Sequence, residues 1–293
     1  MVTGPSLDCR RLLRYRYAWL AFWLASTCAI ATSCARETPA AGSVSGAMVA
    51  GTGKSRYFVS NASGQSLTNA DTNTRVELQP GTYALALNGS IRSLTIRAGE
   101  TASVQAGGAM VAGTGKGRYF VSDTSGKSLT NADTNSVVEL FPGTYTIALN
   151  GTAQSLTVRA GETATVSAGS AVVAGTGKGR YFVSDVAGKS LTNADTNSAV
   201  ELFPGTYTIA LYDTTRSLTV RAGETATVQA GSVVMEGPAG GRYFVSDATG
   251  KSLTNADTNT AVELFPGDYV ITLKGKKQSF AVRAGLPTVV RDQ

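Results

Sequence analysis

The chain is built from one sequence unit that occurs four times at a constant interval. A fixed internal period indicates an array of equivalent modules, and it outweighs chain length as a guide to domain organisation. The run Arg-Tyr-Phe-Val-Ser marks the period, because it begins every 62 residues, at Arg56, Arg118, Arg180 and Arg242. We therefore predict four modules, at 47–107, 108–169, 170–231 and 232–293, preceded by a leader at 1–34 and a flexible tether at 35–46.

Each module shows the alternation that is typical of short β-strands. In the second module Tyr145, Ile147 and Leu149 alternate with small or polar residues, which places them on one face of a strand. Asn150-Gly151 follows and is the strongest hairpin signal in the chain. Further strands are expected at 109–112, 118–122, 137–140, 155–160 and 163–168. The first two of these are expected to pair as a hairpin across a glycine-rich turn.

The predicted fold class is all-β. A content of 42% hydrophobic and 16% charged residues, with 33 glycines, suits many short strands joined by tight turns. Six or seven strands per module indicate two small antiparallel sheets packed face to face. We predict four tandem small antiparallel β-sandwich modules, with helix confined to the N-terminal signal or anchor segment.

Three motifs of the second module resemble those of known β-sandwich families. They are Asp-x-x-Gly-Lys-Ser-Leu at 123–129, Glu-Leu-Phe-Pro-Gly-Thr-Tyr-Thr-Ile at 139–147 and Val-Arg-Ala-Gly-Glu-Thr at 158–163. Together they resemble PEGA-type and carboxypeptidase-regulatory-like (transthyretin-like) domains, over residues 47–290 in four copies. The Pro-Glu-Gly-Ala tetrapeptide itself is absent. The resemblance implies accessory, envelope-associated or adhesive modules that have no activity of their own.

The first 34 residues have the organisation of a secretory signal, in which arginines precede an uncharged run at 17–35. All the cysteines of the chain lie here, at Cys9, Cys28 and Cys34. Ala31-Thr32-Ser33 before Cys34 resembles the small-residue box of a bacterial lipoprotein signal, which implies lipidation of Cys34. Ordinary cleavage near Ala31 or Ala35 and an uncleaved membrane anchor are the alternatives. All three predict export and contact with the membrane through the N-terminus.

The titratable composition excludes several functions. The chain has no histidine and no cysteine after residue 34, so Ser–His, Cys–His and His–metal mechanisms are excluded. The carboxylates of a module give no reason to face each other across a cleft, and we predict that the protein is not an enzyme. Residues 1–33 hold four arginines and one aspartate, which leaves 22 basic and 19 acidic residues, a net charge of +3. That balance, without a basic cluster, argues against a nucleic-acid partner.

One position indicates how successive modules contact each other. The residue before Pro-Gly is Gln79 in module 1, which has no preceding module, and phenylalanine in modules 2 to 4. A unit of this size buries only about 60% of the surface that its unfolded chain exposes, so neighbours should stabilise one another. We predict that the phenylalanines pack against the preceding module; packing over their own core is the alternative. The candidate interface residues are Phe141, Phe203 and Phe265.

Two further features are candidate binding sites. The segment Leu-Thr-Asn-Ala-Asp-Thr-Asn offers alternate side-chain oxygens for Ca²⁺, although it lacks the glycine of a calcium loop, and Asx turns in an irregular loop are the alternative. These candidates include Asn131, Asp133, Asn135, Asn193, Asp195 and Asn197. No other cofactor is predicted. Gly51-Thr-Gly-Lys-Ser55 is similar to the end of a phosphate-binding loop, but Met48 stands where that motif needs glycine, and a glycine-rich turn is preferred.

The sequence predicts a non-catalytic, exported, lipid-anchored repeat protein of the bacterial cell envelope. Its equivalent modules would bind protein or other envelope components multivalently. The alternative is an array of carbohydrate-binding modules, because the two rings of Tyr119-Phe120 point to opposite faces of a strand and one could be exposed for stacking on a sugar. The expected location is that of an outer-membrane lipoprotein facing the periplasm or the cell surface.

Overall fold

The computed structural model describes residues 44–292. The predicted leader, the lipidation site Cys34 and most of the predicted tether lie outside these residues. Within them there are 28 strands, seven in each repeat, and the first strand begins at Gly46, inside the segment predicted as tether. No helix in residues 44–292 has the length and apolar character needed to cross a bilayer. We refer to residues 44–106, 107–168, 169–230 and 231–292 as modules 1 to 4.

The strands recur with nearly the same bounds in each module. Module 1 contains β1 (Gly46–Ala50), β2 (Arg56–Ser60), β3 (Ser66–Asp71), β4 (Arg75–Glu77), β5 (Gly81–Leu87), β6 (Ser90–Ile96) and β7 (Thr101–Gln105). Module 2 contains β8 (Gly107–Ala112), β9 (Arg118–Ser122), β10 (Ser128–Asp133), β11 (Val137–Leu140), β12 (Gly143–Leu149), β13 (Thr152–Val158) and β14 (Thr163–Ser167). Module 3 contains β15 (Gly169–Ala174), β16 (Arg180–Ser184), β17 (Ser190–Asp195), β18 (Val200–Leu202), β19 (Gly205–Leu211), β20 (Thr214–Val220) and β21 (Thr225–Gln229). Module 4 contains β22 (Gly231–Glu236), β23 (Arg242–Asp247), β24 (Ser252–Asp257), β25 (Ala261–Leu264), β26 (Gly267–Leu273), β27 (Lys276–Val282) and β28 (Pro287–Arg291).

Every module contains one four-stranded and one three-stranded sheet, which confirms the predicted tandem β-sandwich fold. In module 2 the four-stranded sheet has the order β10-β9-β12-β13 and is antiparallel throughout. The three-stranded sheet has the order β11-β8-β14, and its β8–β14 pair is parallel, so the prediction that both sheets are antiparallel is wrong for this pair. A parallel pair needs a long crossover connection, and here the whole four-stranded sheet lies between the two strands in sequence.

One of the two predicted hairpins is confirmed and the other is wrong. β12 and β13 pair with Leu149 opposite Thr152, and Asn150 and Gly151 have φ values of 45° and 81°, as a two-residue type I′ turn requires. β8 and β9 were expected to pair in the same way, but they belong to different sheets. The glycine-rich segment 113–117 therefore crosses from one layer of the sandwich to the other.

The strand β10 was predicted to be an irregular loop. It is the edge strand of the four-stranded sheet and pairs with β9, with Asn131 opposite Phe120 and Asp133 opposite Arg118. Its outward side chains are polar, and a bulge between residues 128 and 130 breaks the alternation. Only Leu129 and Ala132 of this strand pack against the core, so the period-two signal was too weak to identify it.

A fully buried tyrosine connects the two sheets of each module. The hydroxyl of Tyr119, on β9, donates to the carbonyl of Ala109 on β8 at 3.1 Å and to that of Ser136 at 2.7 Å. A buried phenol needs such partners, and burial raises the pKa of Tyr119 to about 12. The equivalent residues in the other modules are equally buried: Tyr57, Tyr181 and Tyr243.

Candidate functional site

Successive modules are connected by a single residue. β7 ends at Gln105 and β8 begins at Gly107, so that Ala106 alone lies between them. The N–H of the buried Ala106 donates to the carbonyl of Ala50 at 2.7 Å, and its own carbonyl accepts from the N–H of Gly161 at 2.8 Å. Ala106 is thereby bonded to both modules, and Ala168 and Ala230 repeat this arrangement. We call the contact regions around these alanines the intermodule interfaces.

The predicted interface phenylalanines lie in the hydrophobic core of the preceding module. Phe141 of module 2 is 2% exposed and belongs to the core cluster of Val49, Tyr57 and Leu87 in module 1. Phe203 belongs in the same way to the core of module 2, and Phe265 to that of module 3. Burying one such side chain contributes about 1.5–3 kcal/mol, so the cores of modules 1 to 3 are each completed by the next module.

A buried glutamate two residues before the phenylalanine forms the polar part of each interface. Glu139 is 1% exposed, although it belongs to the outer face of its own strand. Its Oε1 accepts from the N–H of Gly53 at 2.7 Å, and its Oε2 accepts from the N–H of Ser55 at 3.0 Å. The Thr72 hydroxyl also donates to Oε2, at 3.1 Å. The carboxylate of module 2 is therefore bound by the glycine-rich segment of module 1.

The same carboxylate site occurs at the next two interfaces. Glu201 accepts from the N–H groups of Gly115 at 2.7 Å and Gly117 at 2.5 Å. Glu263 accepts from the N–H groups of Gly177 and Gly179, both at 2.6 Å. Successive backbone N–H groups in a turn form an anion-binding concavity. The segment that resembled part of a phosphate-binding loop thus does bind an anion, but the anion is a side chain of the next module.

Glycine is required where the two backbones approach each other around this carboxylate. A Cβ built on Gly51 would lie 2.1 Å from Oε1 of Glu139. The equivalent distances are 2.1 Å from Gly113 to Glu201 and 2.0 Å from Gly175 to Glu263. Any side chain at these positions would displace the carboxylate from its donors.

The environment of Glu139 favours the ionised form. Burial raises the pKa of this carboxyl, but the hydrogen bonds from Gly53, Ser55 and Thr72 outweigh that effect and hold the pKa below its ordinary value. Glu139 is therefore a carboxylate at neutral pH. Its negative charge is balanced by oriented N–H and O–H dipoles and not by a basic side chain.

The Asn-Gly hairpin turn of each of the first two modules also contacts the next module. Asn88 Nδ2 donates to the backbone carbonyl of Glu139 at 3.0 Å, and Ser90 Oγ accepts from the N–H of Phe141 at 3.1 Å. A Cβ on Gly89 would lie 2.8 Å from the carbonyl oxygen of Leu129. The turn that ends the hairpin is thus also part of the interface.

The third interface has additional charged contacts. Tyr212-Asp213 replaces the Asn-Gly turn there, and Asp213 forms an ion pair with Lys251 of module 4 at 3.3 Å. Arg216 donates to the carbonyl of Pro266 at 2.8 Å, and its guanidinium lies 5.5 Å from the centre of the Phe265 ring. These groups are exposed, so they add little to the stability that the buried glutamate and phenylalanine supply.

The outer face of each four-stranded sheet carries one exposed aromatic ring. Phe120 is 47% exposed, and it is this ring, not that of the buried Tyr119, that faces solvent. Asn131, directly opposite on β10, is also exposed, and Arg118 and Asp133 form an ion pair of 3.2 Å on the same face. The same face recurs in the other modules around Phe58, Phe182 and Phe244.

The predicted calcium ligands have separate structural roles. Asn135 has a φ of 67°, accepts from the N–H of Gly113 at 3.0 Å and donates to its carbonyl at 3.2 Å. Asp133 pairs with Arg118, and Asn131 lies on the outer face beside Phe120. In module 3 Asn193, Asp195 and Asn197 are placed in the same way. Residues 44–292 contain no group of three or more His, Cys, Asp or Glu side chains suited to hold a metal ion.

Sequence reasoning missed the buried glutamates. Val138 and Leu140 point inward, so alternation placed Glu139 on the solvent side of its own sheet, and only the neighbouring module covers it. A signal was nevertheless available. The glutamate is present in all four copies and the Gly-Thr-Gly-Lys turn in the first three, and such a turn offers backbone N–H groups that strand pairing does not use.

Comparison with known proteins identifies no family. No protein-family model matches the chain, and a comparison with curated proteins gives no match. Among solved structures, the TIE protein of Bacillus anthracis is 14% identical with a TM-score of 0.21, over 86% of this chain and 69% of that one. BcpA, the major pilin subunit of Bacillus cereus, is 10% identical with a TM-score of 0.18, over 64% of this chain and 98% of that one.

A pilus adhesin, SpaC of Lactobacillus rhamnosus GG, is 11% identical with a TM-score of 0.19, over 79% of this chain and 36% of that one. TM-scores this low do not indicate a common fold, and we draw no functional conclusion from them. The resemblance to PEGA-type and transthyretin-like domains stays a prediction. The fold and the interfaces themselves define the class: a tandem β-sandwich repeat protein whose modules share cores and carboxylate sites.

Proposed function

We propose that this protein is a non-catalytic structural or adhesive repeat protein that presents four equivalent β-sandwich modules in fixed mutual orientation. The observation that carries the proposal is the intermodule interface, which occurs three times. Each interface combines a one-residue connection, a phenylalanine in the neighbouring core and a glutamate bound by the neighbouring backbone.

The interface resists rotation between modules for an energetic reason. Turning one module relative to the next would withdraw the carboxylate from its N–H and O–H donors and expose the phenylalanine. Removing the partners of a buried charge costs free energy. Exposing the phenylalanine ring to water adds to that cost, because its hydrophobic contribution is lost. Fixed orientation suits a protein that spaces or displays binding surfaces, because repeated weak sites in one chain raise the overall affinity.

Export and anchoring are part of the proposal. The N-terminal sequence, with its arginines, its apolar run and the small residues before Cys34, supports export and lipidation at Cys34. The resemblance to PEGA-type domains supports a place in the bacterial envelope, with protein or other envelope components as partners. Intact-mass analysis of the purified protein tests this part: a diacylglyceryl-modified N-terminal cysteine at position 34 is expected, and an unmodified Met1 would contradict it.

Distance measurements between modules test the fixed orientation. Spin labels at Ser125 in module 2 and Ser63 in module 1, both exposed, should give one narrow distance distribution in the full chain. Glu139→Gln combined with Phe141→Ala should broaden it, because both interface contacts are lost. The same labels with Phe120→Ala provide the control, since that ring belongs to the outer face. A broad distribution in the unmodified chain would overturn the proposal.

A second candidate function is carbohydrate binding, which the exposed ring of each module favours. Phe120 has an exposed amide opposite it and an ion pair beside it, the combination that stacks on a sugar ring and bonds its hydroxyls. A glycan array probed with the full chain tests this. Binding that is lost when the four outer-face phenylalanines are changed to alanine, and kept when the exposed Val137 and Val186 are changed, would support it. No binding to any glycan would eliminate it.

A further inference from the structure

Module 1 carries half of an interface that no module of the same chain fills. Glu77 occupies the position of Glu139 but is exposed, and its side chain makes no hydrogen bond or ion pair within residues 44–292. Leu78 and Tyr83 next to it are partly exposed, whereas the equivalent residues of modules 2 to 4 are buried. We call this surface the N-terminal face; it comprises Val44, Leu67, Glu77, Leu78, Gln79 and Tyr83.

Module 4 retains the groups that would bind such a glutamate. It has Ala239, Gly241 and Thr258 at the positions of the three donors to Glu139. Two of these donors are backbone N–H groups, so the substitutions in the segment 237–241 retain the groups themselves, although the segment turns differently, with Gly240 at a φ of 83°. The Thr258 hydroxyl donates to the carbonyl of Pro238 at 2.7 Å, and it lies beside a small opening at this end of the module. The donor groups of a carboxylate site are thus present at this end of module 4.

A recess marks the place where the phenylalanine of a following module would pack. Its lining includes Met235, Ile271, Leu273, Lys277 and Asp292. Asp292 stands where the interfaces have a buried alanine, such as Ala106, and Gln79 of module 1 stands where they have phenylalanine. The two substitutions match each other. Inside the chain the phenyl ring packs beside the methyl group of the alanine, and between copies the glutamine amide can donate a hydrogen bond to the aspartate carboxylate. Together with the donors above, this recess forms the C-terminal face.

The charges of the two faces are complementary. Lys274 in module 4 replaces Asn88, whose amide donates to the backbone of the incoming glutamate strand at the first interface. Lysine keeps a donor at that point and adds a positive charge. The exposed Glu77 supplies the opposite charge on the N-terminal face. Opposite charges on two such surfaces steer association and fix the relative position of the partners.

We propose that the occupant of these faces is a second copy of this chain, with the N-terminal face of one copy docked on the C-terminal face of another. The chain already builds this interface three times internally, and the two faces continue it between copies. A head-to-tail contact between identical copies is heterologous, so it extends to further copies unless the geometry closes a ring. This inference rests on the interfaces and does not depend on the proposed role in the envelope.

The test combines cross-linking and sedimentation of the full chain in detergent. A mixture of ¹⁴N- and ¹⁵N-labelled copies is treated with a zero-length carbodiimide reagent and analysed by mass spectrometry. The expected product joins Glu77 of one isotope to Lys274 of the other.

Sedimentation velocity should show association that increases with concentration. Glu77→Gln should raise the dissociation constant by about tenfold or more, the usual loss for a hydrogen-bonded charged group. Asp133→Asn, the same change on the outer face of module 2, should leave it unchanged.

The asymmetry of the contact gives a second and sharper test. Lys274→Glu should also weaken self-association, because it places a negative charge against Glu77. A copy with Glu77→Gln keeps its C-terminal face, and a copy with Lys274→Glu keeps its N-terminal face. Mixing the two should therefore give heterodimers that do not extend further. The proposal is overturned by sedimentation as a monomer at all concentrations, by cross-links confined to single isotopes, or by mixed-isotope cross-links that avoid Glu77.

Discussion

Glu77 and Glu139 occupy the same position in successive copies of one sequence unit, but their surroundings are opposite. Each stands in a short strand that pairs with the first strand of its own module. Glu77 is exposed, whereas Glu139 is bound by three donors from the preceding module. The comparison teaches that burial of this residue is decided by whether a neighbour precedes it and not by its own strand.

The residue two positions later follows the same rule. Gln79 of module 1 is exposed. Its equivalent in module 2, Phe141, is buried in the core of module 1. Here the sequence has changed with the environment, because a phenylalanine at this exposed position would expose apolar surface on module 1. The glutamate, in contrast, is kept at both places.

The largest expected effect comes from Phe141→Ala. Removing the ring leaves a cavity in the core of module 1 and should lower the free energy of unfolding by about 3–5 kcal/mol. Phe120→Ala, the same substitution at the exposed outer face, should change it by less than about 0.5 kcal/mol. Urea unfolding of both variants measures the difference. Equal effects would show that Phe141 does not belong to the core of its neighbour.

Alanine substitutions at two hairpin glycines separate the cost of disturbing the interface from the cost of a left-handed backbone. Gly151 has a φ of 81°, and a Cβ there would lie 2.8 Å from the carbonyl oxygen of Leu191 in module 3. Gly275 has a φ of 82° with no atom near its Cβ position. Gly275→Ala should cost about 1–2 kcal/mol for the left-handed backbone alone. Gly151→Ala should cost about 1–3 kcal/mol more, because the interface must open; similar losses of stability in denaturant would argue against a tight interface.

Glu139→Gln replaces one carboxylate oxygen with an amide NH₂ group, which cannot accept the hydrogen bonds that the preceding module donates at this site. A hydrogen-bond acceptor is lost in a buried site, so the free energy of unfolding should fall by about 1–3 kcal/mol. Glu77→Gln should leave the stability of the single chain within about 0.5 kcal/mol of the original. Chemical denaturation at neutral pH provides the measurement. A stability change at Glu77 as large as that at Glu139 would show that the preceding module does not decide the role of this residue.

The contribution of Glu139 should also depend on pH. Its pKa in the folded protein is lowered, so its contribution is fully present above the unfolded pKa of about 4.3 and is lost as the pH falls through the folded value. The stability difference between the original chain and Glu139→Gln should therefore be constant near neutrality and decrease in acid. Denaturation curves of both proteins across this range test the sign. A difference that grows as the pH falls would contradict it.

The smallest effect is expected at the exposed ion pairs. Arg118 and Asp133 pair at 3.2 Å but remain mostly exposed, so Arg118→Ala should change the free energy of unfolding by about 0–1 kcal/mol. The result sharpens the contrast between charged groups in solvent and the buried glutamate. Thermal unfolding of the variant is sufficient, and a loss comparable to that of Glu139→Gln would indicate that exposure is a poor guide to these contributions.

Much of each module could be predicted because the signals are local. The alternation of Tyr145, Ile147 and Leu149 is a property of consecutive residues, and all three are buried on one face of β12. The Asn-Gly turn requires only two residues with positive φ, so the β12–β13 hairpin was predicted correctly. The contrast between Gln79 and Phe141 was also visible, because it compares equivalent positions in two copies.

The wrong predictions concern pairing between distant segments. Local pattern assigned the glycine-rich segment 113–117 to a hairpin turn, but the backbone there crosses between sheets and binds Glu201 from 84 to 86 residues away. The strand β10 was missed because its polar side chains satisfy no periodic pattern and its place depends on the edge offered by β9.

The period, the all-β class and the inward face of the main strands were predictable from the sequence alone, since these follow from repeated residues and from the two-residue repeat of a pleated strand. The burial of Glu139, and the exposure of the Phe120 ring instead of the Tyr119 ring, became visible only in the folded structure. The reason is that burial is a property of what lies opposite a side chain. For Glu139 that partner is a turn of another module, more than 80 residues earlier in the chain.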